Sequence, residues 1–203
     1  MYQERNIQMI SIEKIGKLSL ISLFCLSLSA CEVVDLDANG NPIIPMSAEE
    51  AASIKNMTPK ALAEQFWGDV LTEAKQKSVN FDLLSLENNT STFIKLRGKI
   101  IQVDTSSKNA TMTVKALSQQ ITVQIGPIIR GNAIRDAASF LTFDQFKNQV
   151  QFARLSKELN KKAMTSFVRP DESWTDSDVD MIAAVTVKEQ KISEVIPIEI
   201  IKR

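Results

Sequence analysis

Two stretches of this 203-residue chain bring together side chains that could hold a ligand. The first is "GPIIRGNAIRD", Gly126 to Asp136. Glycines ahead of a helix present backbone N–H groups to an anion, with the helix dipole assisting. Arg130 and Arg135 are able to grip a carboxylate or phosphate through paired hydrogen bonds. Yet Gly126 and Gly131 are spaced as neither a P-loop nor a dinucleotide fingerprint. The structural alternative is that Gly126 and Pro127 end a strand and Gly131 turns the backbone. Arg130 or Arg135 then pairs with Asp136, Asp104 or a carbonyl. The second stretch is "VDTSSKN", Val103 to Asn109. Asp104, Thr105, Ser106 and Ser107 are residues that cap turns by bonding their own backbone, and they also suit sugar hydroxyls. If the two loops lie together and share an Asp104–Arg130 contact, the candidate ligand site is Arg130, Gly131, Arg135 and Asp136 with Asp104 to Ser107.

Other chemistries fit less well. "DLDANG", with Asp35, Asp37, Asn39 and Gly40, matches the opening of a calcium loop. Such a loop needs a bidentate Glu at its twelfth position, and that position, counted from Asp35, is Met46. Pro42 and Pro45 interrupt it, so an Asx-rich turn is expected and no metal site. The chain has no histidine, which excludes Ser-His-Asp and Cys-His nucleophiles and histidine zinc sites. In "DESWTDSD" the clustered carboxylates could be an acid/base pair, but loop carboxylates are usually only solvated. Trp174 in that loop is a candidate contact surface, since an exposed tryptophan can stack on a sugar or a partner. Trp67, in an apolar stripe, is expected in the core. No catalytic residue and no cofactor is expected.

The first residues give the compartment. Residues 1–17 are polar and carry Lys14 and Lys17, and residues 18–30, "LSLISLFCLSLSA", are apolar. A basic n-region, a short h-region and small residues before the cut describe an export signal. A run of 13 residues is too short for a membrane span, which needs roughly 20. Leu28-Ser29-Ala30-Cys31 resembles the bacterial lipobox, so Cys31 is expected to be lipidated and to become the new N-terminus. Two acyl chains on it would anchor firmly without spanning. Glu32 stands where an Asp would resemble an inner-membrane retention signal, which points to the outer membrane. Cys25 leaves with the signal, so the processed chain has no disulfide and must rely on its core. It keeps 21 basic and 22 acidic residues. A near-neutral chain without a basic stripe argues against nucleic acid.

Positioning elements follow from periodicity. Residues 31–57 read as a tether, with Asn39-Gly40, Asn41-Pro42 and Pro45 as turn signals. Thr58-Pro59 is a helix start. Leu62, Phe66, Val70 and Ala74 then recur every four residues, with Trp67 and Leu71 beside them, to about Lys77. "NFDLLSLENN", residues 80–89, suggests a shorter second helix. From Thr92 the period becomes two. "TFIKLRGKIIQVDT", "TMTVKAL" and "ITVQIG" predict three strands in a meander, and Gly98 inside the first marks a bulge or bend. A helical segment over 132–141 follows. Thr142 to Gln145 forms a capping box opening a second helix, whose apolar stripe is Phe146, Val150, Ala153 and Leu159. "SFVRPDESWTDSDVD" is a surface loop. "MIAAVTVKE" and "EVIPIEIIKR" are the last strands; Ile196, Ile198 and Ile200 face one way, and Pro197 suggests a sheet edge or opening.

Three strands, helices, then two strands, with a glycine bend in a long first strand, is the order of an OB barrel. The expected class is α+β, mainly β: a five-stranded OB-like barrel with a long helical insertion between strands 3 and 4, preceded by a short helical N-terminal segment. The expected division is a signal peptide at 1–30, a tether at 31–57, a helical segment at 58–90 and the barrel at 91–203.

The segments "GKIIQVDTSSKNATMTV" and "VQIGPIIRGNAIRDAASFLTFDQFKNQVQFARLSKELN", with the lipobox, resemble the bacterial family of predicted periplasmic lipoproteins built on a domain of unknown function. The resemblance runs over roughly Thr58 to Arg203. Its most specific pieces are Val103 to Ser107 and Ile125 to Asp136, and the tether "DLDANGNP" departs from it. It implies a periplasmic location and, because members often sit near genes for ribose-type sugar ABC transporters, a transport context. The expectation is a non-enzymatic, membrane-anchored accessory or binding module, with sugar uptake as the context that the resemblance implies. Its expected partners are the membrane, through the anchor, and transporter components or a small sugar. The alternatives are a structural envelope protein without ligand and a carboxylate-dependent glycan hydrolase.

Overall fold

The computed structural model describes residues 48–203. The expected signal, the expected lipidation of Cys31 and the expected "DLDANG" turn fall outside the described residues. Two helices open the described part: α1, Ala48–Asn56, and α2, Pro59–Lys77. The described residues form one compact unit, in which α2 shares a buried cluster with the strands that follow. The stretch expected to be tether through residue 57 ends in α1, and Ile54 of α1 is buried in the core.

α2 forms where its caps and stripe predict it. The Thr58 side chain accepts a hydrogen bond from the Ala61 N–H at 3.2 Å, Pro59 takes the first helical position, and Leu62, Phe66, Val70 and Ala74 are all buried. The helix then ends, and residues 80–89 do not form a second one. Val79–Asn80 is a two-residue strand, β1, and Phe81–Leu83 is a single 3-10 turn. β1 pairs in parallel with the strand that follows, Val79 opposite Ile94. That pairing gives the backbone extended partners in place of helical ones.

The sheet comprises β2 (Thr90–Asp104), β3 (Thr111–Ala116), β4 (Gln119–Gln124), β5 (Asp178–Lys188) and β6 (Lys191–Lys202). Its order is β4-β3-β2-β5-β6, with β1 beside β2. β2 to β6 are joined antiparallel. β2 serves two neighbours in succession: β5 along Thr90 to Lys99 and β3 along Lys99 to Asp104. Where it passes from one to the other stands Gly98. A Cβ there would lie 2.5 Å from the Lys115 carbonyl oxygen and 2.6 Å from Val114 Cγ1. The predicted bend is therefore a close backbone approach. The sheet curls until β4 comes near β6, and no ladder joins these two edges among the described residues. The result is a curled antiparallel half-barrel with few helices, in OB-like order.

Both faces of the sheet are buried over much of its area. Ile94, Leu96, Ile100, Met112, Val114, Val123, Met181 and Val185 fill the barrel interior. Phe93, Ala184, Ile196 and Ile198 face outward against α2 and the insertion helices. The last strand departs from simple alternation. Ile182 pairs with Glu199 and Ala183 with Pro197, so Ile198 is an extra residue, a bulge. Alternation resets there: Ile196 and Ile198 pack under the helices, whereas Ile200 enters the barrel. β6 does lie at the end of the sheet order, a position that tolerates Pro197.

The insertion between β4 and β5 is shorter in helix than the sequence pattern suggests. α3 spans only Ala133–Ala137, and Thr142 to Gln145 closes a 3-10 turn over Phe143–Gln145 instead of opening a helix. Gln145 Oε1 accepts the Thr142 N–H at 3.2 Å. α4, Gln149–Ala163, starts afresh with Asn148 as its cap. The apolar register restarts with it. Leu155, Leu159 and Ala163 are buried, while Val150 and Ala153 face solvent and Phe146 is buried ahead of the helix.

Replacing Gly98 by alanine should force the β2–β3 crossing apart and lower stability by about 1–3 kcal/mol. Urea unfolding of Gly98→Ala checks this, and an unchanged midpoint would show that the crossing has slack.

Candidate functional site

The helices cover only part of the outer face of the sheet. Beyond Phe93, Ala184 and Ile196 the face continues with Lys95 and Arg97 on β2, Asp180 and Ile182 on β5, and Glu199 and Ile201 on β6. Cross-strand register sets them side by side: Lys95 opposite Ile182, Arg97 opposite Asp180, Ile182 opposite Glu199, and Asp180 opposite Ile201. Asn80, Phe81 and Asp82, from the join after α2, and Leu117, from the β3–β4 turn, stand around this uncovered area. Together they enclose a groove of about 480 Å³. Its apolar surface comes from Phe81, Leu117, Ile182 and Ile201, with charged groups interspersed.

Those charges are largely paired. Asp180 Oδ1 accepts from Arg97 Nε at 2.6 Å, and Oδ2 accepts from Arg203 Nε at 2.7 Å. The two guanidiniums hold the Asp180 carboxyl well below the usual range, at about 2. Glu199 meets Lys75 Nζ of α2 at 3.3 Å. No ion pair engages Lys95 or Asp82 among the described residues. The groove thus offers one cation, one carboxylate and the Asn80 amide around an apolar floor. That donor set suits a small neutral molecule with hydroxyl groups and an apolar ring face better than a strongly charged ion.

The stretches singled out from sequence meet other ends. The two loops do touch, but through backbone: the Ile125 N–H donates to the Ala110 carbonyl at 3.0 Å, and the Ile128 N–H to the Lys108 carbonyl at 3.1 Å. The expected Asp104–Arg130 contact does not form. Asp104 closes on its own loop, accepting from the Ser106 N–H at 3.0 Å and from Ser106 Oγ at 2.6 Å. These bonds hold its carboxyl below the ordinary range. Ser107 Oγ likewise accepts the Asn109 N–H at 3.1 Å, and Thr105 is exposed. Arg130 is fastened by its backbone, whose N–H and C=O are both clasped by the Gln124 amide at 2.9 Å, and its side chain lies in solvent.

Arg135 turns inward. Its side chain is 11% exposed and pairs with Asp136 at 2.6 Å. Its guanidinium lies 3.9 Å from the centre of the Phe152 ring and donates to the Phe152 carbonyl at 3.3 Å. This bolts α3 to α4. The glycine cradle also exists, and it is filled. Gly131 has φ +103°, and the Glu194 carboxylate packs directly on its Cα. The Asn132 N–H donates to Glu194 Oε2 at 3.0 Å. The anion that this turn receives is a side chain of β6. Trp174 is half-buried, packed on the barrel interior, with Lys202 Nζ 5.4 Å from its ring centre. Trp67 packs at the edge of the helix-side core, as expected.

The groove residues were not singled out from sequence. Lys95, Arg97, Asp180 and Glu199 sit at outward positions of alternating strands, and that polarity is visible. What makes them neighbours is the pairing of β2 with β5, across more than eighty residues of chain, and no local pattern encodes it. Among the described residues no group of three or more His, Cys, Asp or Glu is placed to hold a metal.

Fold and site together define a mainly β, OB-like half-barrel with a solvent-open groove on its helix-bearing face. The family description "Predicted periplasmic lipoprotein (DUF2291)" matches residues 82–201, and the chain belongs to that family. The match takes in β2 to β5, β6 up to its last residue but one, the whole insertion and all the groove residues except Asn80 and Phe81. Among solved structures, an OB-fold protein from Thermotoga maritima is similar at 17% identity and a TM-score of 0.48, over 73% of this chain and 100% of that one. No curated protein matches.

Two outcomes separate the structural arginine from the exposed one. Arg135→Ala should lower stability by about 1–2 kcal/mol through the lost ring contact and carbonyl bond, and Arg130→Ala should stay within about 0.5 kcal/mol. Chemical denaturation of both variants decides it. The Asp180 triad predicts a pH dependence. Because its carboxyl is depressed in the folded state, the triad's contribution is complete above the ordinary carboxyl value near 3.9. It is lost as pH falls through about 2. The stability gap between wild type and Asp180→Asn, measured by urea unfolding, should close steadily on acidification over that window.

Proposed function

We propose that this lipoprotein is a non-enzymatic binding module, anchored by its lipid on the periplasmic face of the outer membrane, that holds a small saccharide in the groove over β2, β5 and β6. The observation carrying this reading is the groove itself. It joins an apolar floor and the Phe81 ring to the hydrogen-bonding groups of Asn80, Asp82 and Lys95. A sugar has this same division, with apolar C–H faces and a rim of hydroxyls. Ligand pockets commonly combine an apolar lining with a few well-placed polar groups. The transport context implied by the family resemblance supports a sugar-uptake role, as an accessory to ABC transporter components. Of the residues first considered for a ligand, Gly131, Arg135, Asp136, Asp104, Ser106 and Ser107 hold the scaffold together in this reading, and the Arg130 and Thr105 side chains face solvent.

A non-catalytic role is favoured by the state of Asp180. A glycan hydrolase needs a proton-donating carboxyl facing a second carboxylate. Asp180 is ionised well below neutral pH and its oxygens are committed to Arg97 and Arg203.

The test is a thermal-shift and calorimetric screen of the processed chain with pentoses and hexoses. A sugar at a hundred times its Kd should stabilise the fold by about 2.7 kcal/mol. Phe81→Ala and Lys95→Ala should abolish that shift, each measured against its own unliganded melting temperature, because Phe81 also packs on the barrel cluster and its truncation lowers stability by itself. Absence of any shift at saturating sugar, or a shift that survives both substitutions, would overturn the groove as the sugar site.

A further inference from the structure

A second surface lies at the other end of the helical layer. The C-terminal end of α1, the 3-10 turn Phe143–Gln145 and the first turns of α4 meet there. Gln151 ties them together, its amide donating to the carbonyls of Ile54 at 3.1 Å and Met57 at 2.8 Å. Between them lies a shallow depression of about 440 Å³, lined by Lys55, Met57, Lys147, Val150 and Arg154 among others. Lys55, Lys147 and Arg154 make no ion pair among the described residues. Val150 is 58% exposed and Phe143, on the adjoining turn, is 53% exposed. Asp144 stands beside Lys55 and offsets its charge, which leaves Lys147 and Arg154 as the uncompensated cations lining the depression.

We propose that this face docks on an anionic phospholipid surface, with Phe143 and Val150 entering the headgroup layer and Lys147 and Arg154 meeting lipid phosphates. Two observations select a bilayer as the occupant. Exposed apolar side chains ringed by unpaired cations match a surface that is anionic outside and apolar beneath. The chain also enters the described body at α1, the element that carries Lys55, and belongs to a lipoprotein family. A tether converts a weak second contact with the same membrane into an intramolecular one, so modest affinity is sufficient. Docking here would fix the orientation of the body on the membrane, a constraint the anchor alone does not impose.

The test uses the processed chain with Cys31→Ser, so that no acyl chain contributes, and vesicles of phosphatidylcholine with or without phosphatidylglycerol. Sedimentation should show binding that requires phosphatidylglycerol and falls as salt is raised. Each cation at such a surface is worth roughly fivefold in partitioning, so Lys147→Gln with Arg154→Gln should weaken binding about 25-fold. Phe143→Ser should weaken binding at every salt concentration, and Lys191→Gln, at the start of β6, should leave it unchanged. Circular dichroism confirms that each variant is folded. Equal binding to both vesicle types, no binding to either, or binding indifferent to the double substitution would overturn the proposal. Because no sugar is present, its failure is distinct from failure of the groove.

Discussion

One strand has to belong to two halves of the sheet. β2 runs for 15 residues, pairs first with β5 and then with β3, and exchanges partners around Gly98 and Lys99. A strand cannot serve both neighbours while flat, because the curl that brings β4 toward β6 must be taken up along its length. It is taken up where the chain has no side chain to obstruct the Lys115 backbone. The register shift between Ile100 and Gln102 adds to the bend, since an extra residue on one strand sharpens local twist. Everything else hangs from this bend. The interior cluster closes because the strands converge, and the outer face becomes the surface on which α2 and α4 lie.

Local signals were legible where a few neighbouring residues decide the outcome. Thr58-Pro59, the four-residue recurrence from Leu62 to Ala74 and the glycine in β2 each act within one or two turns of chain, and each is realised. The signals that failed were local signals with two local solutions. Thr142 to Gln145 carries the residues of a capping box, but Phe146 is needed in the core at once, so the turn closes and α4 starts only at Gln149, four residues after Gln145. Residues 80–89 have apolar spacing short enough for a helix, but the free edge of β2 beside Ile94 offers Val79 and Asn80 a backbone partner. In β6 the alternation of isoleucines was real and its phase was not constant. One bulge at Ile198 moves Ile200 from the helix side to the barrel side.

The reading of Gly131 is instructive because the chemistry was recognised and the occupant was not. A glycine at positive φ ahead of a short helix does expose an N–H to an anion, and here an anion is present. It is Glu194, fixed on β6, with Lys188 Nζ 3.4 Å from its other oxygen. An internal carboxylate at such a turn replaces a ligand and welds the insertion to the last strand. Asn160 of α4 adds to the same joint by donating to the Gly131 carbonyl at 3.1 Å. Sequence spacing cannot distinguish a cradle awaiting an anion from a cradle already filled, because the filling residue lies about sixty positions away.

The groove exists for a related geometric reason. α2 ends at Lys77, and the strands beneath it continue: β2 to Asp104, β5 back to Asp178 and β6 on to Lys202. Past the end of the helix the outward positions of three strands have no layer above them. An all-apolar face there would be an aggregation liability, and charged residues alone would leave Ile182 and Ile201 poorly covered. The chain places paired charges among the apolar residues, with Arg97 and Arg203 on Asp180 and Lys75 on Glu199. These pairs cancel the field of the groove while keeping its shape rigid. A floor that is apolar, rigid and close to neutral discriminates through shape and a few hydrogen bonds, which is the basis for reading it as a site for an uncharged polyol rather than for an ion.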